Sequence, residues 1–154
     1  STDNPKEFAR QNACQKAAAA AAISDAGSLI IGADTIVVCD GRIMGKPADK
    51  SEACEMLSFL SGKIHEVITG VAVLEKDTGR IESAAESTEV SFKNLTEAEI
   101  REYAESGEPL GKAGAYAIQG KGSIFIPSIK GCFFNVVGLP LFRTKELLSK
   151  FPEK

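Results

Sequence analysis

Leu29-Ile30-Ile31-Gly32-Ala33-Asp34-Thr35-Ile36-Val37-Val38-Cys39 is the stretch that decides the fold. Ile and Val dominate it, so it reads as a buried strand. Asp34 stands in its middle, where an unpaired carboxylate would cost several kcal/mol and must find donors, a cation or a proton. Gly32, two positions earlier, allows another backbone or a ligand to come close. A carboxylate held by backbone N–H groups at a strand end is one reading of Asp34. A functional carboxylate is the other, and the apolar flanks favour it.

Helices alternate with strands on either side. Upstream, Asn4-Pro5-Lys6-Glu7 reads as a helix start, with Asn4 as cap, Pro5 at the first position and Glu7 completing a capping-box-like pair. Ala17 to Ala22 sustain that helix, which is expected to end near Gly27. Downstream, Asp49-Lys50-Ser51-Glu52 resembles another capping box, followed by Ala53, Met56, Leu57 and Leu60 at helical spacing and closed by Gly62. Residues 65–75 and 81–92 are β-rich, with a turn at Lys76-Asp77-Thr78-Gly79, and predict an antiparallel hairpin. Thr96 with Glu99 starts a third helix ending at Gly107. A glycine-rich stretch from Gly111 to Gly122 leads to a predicted strand, Ser123 to Ile129, and Pro140 opens the last helix. The pattern is that of an α/β domain.

The 154 residues are 44% hydrophobic and 25% charged with a net charge of -3, which excludes disordered, collagen-like and disulfide-scaffold chains. One domain is expected. No apolar run approaches the ~20 residues of a membrane span. The mildly acidic balance without basic tracts argues against nucleic-acid or membrane partners. Cys14, Cys39, Cys54 and Cys132 are far apart, and with His65 as the single histidine a zinc site is not expected. The thiols read as small hydrophobes kept reduced in the cytosol.

Three further residues draw attention beside Asp34. Lys46, in the rigid turn Gly45-Lys46-Pro47, could be returned by a short hairpin to the cleft that holds Asp34. Lys16 is the only charge between Arg10 and Asp25, and reads either as a lysine snorkelling off an alanine-rich helix or as a functional cation. Lys112 to Gly122 fails as a Walker loop, because five residues separate Gly114 from Gly120 and Gly122 follows Lys121. Its backbone could still wrap a ligand, with Gln119 offering one donor and one acceptor. His65 has no Ser, Cys or Asp pattern around it and reads as structural.

Taken in order, several segments resemble the Maf family of septum-formation-inhibitor-like nucleotide pyrophosphatases. They are Gln15-Lys16-Ala17, Ile31 to Val38, Gly45-Lys46-Pro47, Leu60-Ser61-Gly62 and His65 through Val71. Gly107-Glu108-Pro109, Lys112 to Tyr116, Ile118-Gln119-Gly120 and Asn135 to Pro140 continue the match over nearly the whole chain.

The resemblance implies an elongated mixed sheet flanked by helices, with two lobes around a central cleft, in a cytoplasmic homodimer linked to cell division. It implies hydrolysis of a nucleoside triphosphate to the monophosphate and pyrophosphate with a divalent metal, Mg²⁺ or Mn²⁺. Asp34 then corresponds to the catalytic carboxylate, as metal holder or as proton acceptor, and Lys16 and Lys46 to phosphate contacts. Thr35 and Gln119 match positions that separate the dTTP/UTP branch from a 7-methyl-GTP branch. The family's Ser-x-Ser-Pro-Arg-Arg-like turn and a following acidic residue have no counterpart before Asn4, and Gly111 replaces an aspartate. The chain is therefore expected to be one N-terminally incomplete Maf-like domain. Two alternatives stay open: a non-catalytic nucleotide-binding or regulatory module linked to cell division, and a pyrophosphatase for another nucleotide such as 7-methyl-GTP.

Overall fold

The computed structural model describes residues 3–153. Helix α1, Pro5–Ala21, starts where Asn4 Oδ1 accepts the Glu7 N–H at 3.2 Å. The capping box expected there is only half made. Glu7 turns its carboxylate to Arg10 and Gln11, because a guanidinium one turn on is a stronger donor than a backbone amide. The helix stops before Gly27, and β1, Leu29–Cys39, follows. Asp40 and Gly41, both at positive φ (49° and 76°), make the tight turn into β2, Arg42–Met44.

Helix α2, Lys50–Leu60, is capped by Asp49, which accepts the Glu52 N–H at 2.8 Å. Strands β3, Ile64–Glu75, and β4, Ile81–Ser91, form the expected hairpin. Helix α3, Glu97–Glu105, has the complete capping box, with Thr96 and Glu99 bonded reciprocally at 3.0 and 3.1 Å. The chain ends with β5, Ser128–Lys130, α4, Phe133–Val137, and α5, Leu141–Leu148.

One expectation is corrected here. Ser123 to Ile129 is not a single strand: a 3-10 turn occupies Lys121–Phe125 and only Ser128–Lys130 is extended. Phe125 is drawn into the core against Tyr103 and Phe92, and Pro127 has no N–H to give a ladder.

The strands form one sheet in the order β2-β1-β3-β4-β5, with helices against both faces. All its described pairings are antiparallel, although a mixed sheet was expected. The reason is topological. β2 and β3 run the same way and are joined through α2, but β1 lies between them, so no parallel pair is hydrogen-bonded.

Helix α1 lies unusually close to the sheet. A Cβ on Gly32 would fall 2.4 Å from the Ala13 carbonyl oxygen, and one on Gly70 would fall 2.1 Å from that of Ala9. The two glycines therefore admit the helix backbone itself, and Ala9, Ala13 and Ala17 are fully buried beneath it. On the opposite face, Val37, Val67 and Val90 pack with α2, α3 and Phe92, while Val71 and Val73 pack with Leu147 and Phe151 at the α5 end. The first of these cores supplies Val37, Val67 and Tyr116 to the lining of the cleft. No described helix is long and apolar enough to cross a membrane.

Candidate active site

Among the described residues, β1 has a partner on the side away from β3 only at Val37–Cys39. At residues 33–35 it is thus an edge, and side chains from both faces of the sheet reach one cleft there. Asp34 faces α1 and Thr35 faces the opposite layer, where its hydroxyl lies 2.8 Å from that of Thr69.

Asp34 is opposite Gly70 in the ladder, mid-strand rather than at a strand end. Its partners are side chains. Lys16 Nζ lies 2.7 Å from Oδ1, and Asn12 Nδ2 donates to Oδ2 at 3.0 Å. Lys16 and Asn12 are one turn apart on α1, so the close helix–sheet contact at Gly32 and Gly70 sets this constellation. The Asp34 side chain is 18% exposed and that of Lys16 is 57% exposed. The carboxylate is therefore compensated yet still open to the cleft.

Lys46 arrives as the hairpin reading anticipates. The β1–β2 turn pairs Val37 with Met44, which carries Lys46 back alongside Thr35. Gly114 N–H donates to the Gly45 carbonyl at 3.1 Å and holds the next wall against this turn. That wall is the stretch 111–119, with Tyr116 and Val67 in the floor and Val136, Val137 and Gly138 opposite. The enclosed volume is about 410 Å³, within the ordinary range of small-molecule clefts. Lys16, Asp34, Thr35, Lys46 and Gln119 all line it, so one cavity brings together every predicted site residue.

The structure adds two residues that the sequence reading did not place in the site. Lys112 lines the cavity, and Asn12 holds Asp34. The charged residues of the lining are three lysines and one aspartate, so a chain of net charge -3 carries a locally cationic cleft. Lys46 and Lys112 have no acidic partner within ion-pair distance among the described residues. Among the described residues Asp34 is the only carboxylate of the lining, and there is no cluster of three or more metal-ligating side chains.

His65 lies under the floor. It is 1% exposed, and its Nε2 lies 2.6 Å from the Tyr116 hydroxyl, while Nδ1 has no partner among the described residues. Burial lowers it to about 4, so it is a neutral structural imidazole. All four cysteines are free.

The Maf-like protein family matches residues 1–151. The chain belongs to the Maf family. It is 51% identical over 147 residues to the dTTP/UTP pyrophosphatase of Pelotomaculum thermopropionicum, covering 96% of this chain and 76% of that one. The dTTP/UTP pyrophosphatase of Syntrophomonas wolfei is 51% identical over 146 residues, covering 95% and 77%. That of Bacillus anthracis is 50% identical over 148 residues, covering 96% and 76%. In this Maf chain Lys16, Ala33-Asp34-Thr35, Lys46 and Ile118-Gln119 converge on the cleft from four separate segments.

Proposed function

We propose that this chain is a hydrolase of nucleotide anhydrides that converts dTTP and UTP to the monophosphate and pyrophosphate. The observation that carries the reading is the convergence of Asp34, Lys16, Lys46 and Gln119 on one cationic cleft. In the reaction the oxygen of a water bonds to the α-phosphorus, and the bond from that phosphorus to the bridging oxygen breaks. The water gives up a proton, and pyrophosphate leaves with the electron pair.

Among the described residues Lys46 and Lys112 have no acidic partner, so their ammonium groups are available to the polyphosphate. Each contact at ~4 Å is worth about 4 kcal/mol at an effective dielectric of ~20, before desolvation. Charge that grows on the leaving pyrophosphate strengthens these contacts in the transition state, which is where they accelerate the reaction. Lys16 bridges between Asp34 and the incoming phosphates.

Among the described residues of the lining, Asp34 alone carries the anionic chemistry of the cleft. Its carboxylate oxygens keep lone pairs beyond those used by Lys16 and Asn12, and accept the proton of the attacking water or hold a cation. A site with one carboxylate suits Mg²⁺ or Mn²⁺, since Mg²⁺ takes most of its ligands from substrate phosphates and water. When bound, such an ion neutralises phosphate charge and polarises the scissile anhydride. At the far wall Gln119 offers an acceptor for the N3–H of uracil or thymine and a donor for O4, with Thr35 nearby on β1. A homodimer and a cytoplasmic location belong to the same proposal.

The test is pyrophosphate release by the full-length protein from dTTP, UTP, CTP and 7-methyl-GTP with Mg²⁺. Turnover is expected for dTTP and UTP first. Binding of these nucleotides without any turnover would replace the hydrolase by a binding module.

A further inference from the structure

Among the described residues Gln119 makes no side-chain hydrogen bond, so its own amide does not fix where it stands in the cleft. The segment that carries it is held from behind by two side chains outside the cavity lining. Glu108 Oε1 accepts the Lys121 N–H at 3.1 Å, and Oε2 accepts the Gly122 N–H at 3.1 Å. The Tyr103 hydroxyl donates to the same Oε2 and accepts the Ala117 N–H at 3.1 Å. Ile118, Gln119 and Gly120 are therefore suspended between two anchored ends.

The contact is close enough to dictate sequence. A Cβ on Gly120, whose φ is 113°, would fall 2.2 Å from Glu108 Oε1, and one on Gly122 would fall 2.7 Å from the Tyr103 hydroxyl oxygen. Tyr103 is 3% exposed and packs edge-on against Phe125 with ring centroids 5.0 Å apart, which fixes the phenol. Burial, and Glu108 beside it, push that phenol up from its ordinary value, so it stays a neutral donor.

We propose that Glu108 and Tyr103 are positioning residues that hold Gln119 at the height where it reads the pyrimidine edge, and so set the choice among bases. This rests on the pyrimidine triphosphatase reading above and adds what enforces it. A base-reading amide discriminates only if it cannot swing or shift to suit a cytosine pattern. A loop gripped at Ala117 and at Lys121-Gly122 meets that condition, while a loose one would not.

The experiment compares kcat and KM for dTTP, UTP and CTP in wild type, Glu108→Gln, Tyr103→Phe, Gln119→Ala and Glu108→Gln/Gln119→Ala. The clamp variants are expected to raise KM for UTP about tenfold with kcat changed less than threefold, and to lower the UTP-over-CTP ratio of kcat/KM by a similar factor. In the Gln119→Ala background, Glu108→Gln is expected to change that ratio less than twofold, because the two act through one contact. Tyr103→Phe, which deletes one hydroxyl and keeps the ring, carries the test if Glu108→Gln does not fold. An unchanged UTP-over-CTP ratio in a folded clamp variant overturns the proposal, as does a full Glu108→Gln effect without Gln119. Absence of any pyrimidine turnover in wild type instead overturns the underlying reading, so the two failures are distinguishable.

Discussion

Lys16 on α1 and Asp34 on β1 are 2.7 Å apart, across a helix–sheet contact that exists because residues 32 and 70 have no side chains. The pair couples the packing of the domain to its chemistry. Lys16 is more than half exposed, so as an ion pair it contributes little stability, under about 1 kcal/mol. Lys16→Met is therefore expected to leave Tm within a few degrees of wild type and to raise KM for dTTP at least tenfold. A calorimetric scan beside steady-state kinetics checks both halves.

The glycines behave oppositely. Gly70→Ala drives a methyl group into the Ala9 backbone, and neither the strand centre nor the helix can yield cheaply. A loss of about 2–4 kcal/mol in urea unfolding is expected, compared with under ~1 kcal/mol for alanine at Gly45, where an added Cβ meets nothing within 4 Å. Gly70→Ala should also weaken nucleotide binding in whatever fraction stays folded, since it lifts Lys16 and Asn12 away from Asp34.

Stability should also fall with pH in a window set by His65. Burial lowers its folded value to about 4, while the unfolded chain takes up a proton near the ordinary 6.5. The contribution is complete above pH 6.5 and is lost as pH falls through 4. Between pH 7.5 and 5 the loss is about 2 kcal/mol. Glu7, held down by its hydrogen bond from Arg10, and Glu99, held down by Lys93, add losses only once unfolded carboxylates protonate near 4.5. Urea unfolding of wild type and His65→Phe from pH 7.5 to 5 isolates the effect: the variant, though less stable at neutral pH, should show a nearly flat profile.

Much of this was legible in the sequence because it is local. Asn4, Asp49 and Thr96 mark helix starts within four residues of the groups they cap, and Leu29 to Cys39 announces a buried strand by composition alone. Asp34 stood out as a charge in an apolar run, and Lys46 could be returned to it by a hairpin. What stayed hidden depends on residues distant in sequence. Asn12 gave no signal because its partner is 22 positions away and only the α1–β1 contact joins them. Lys112 looked like part of a failed phosphate loop until the Gly114–Gly45 hydrogen bond placed it beside Lys46. Ser123 to Ile129 had strand composition, but the pull of Phe125 into the core overrode it.

The central claim is that hydrolysis depends on Asp34, the single carboxylate among the described residues that line the cleft. The direct measurement is the rate of pyrophosphate release from dTTP by wild type and Asp34→Asn, paired with nucleotide affinity by calorimetry in the presence and absence of Mg²⁺. Asp34→Asn keeps the shape of the side chain and removes its charge. A fall in kcat of about 10²-fold or more, with dTTP still bound through Lys46 and Lys112, is the predicted result. A variant that turns over dTTP at the wild-type rate would contradict the account.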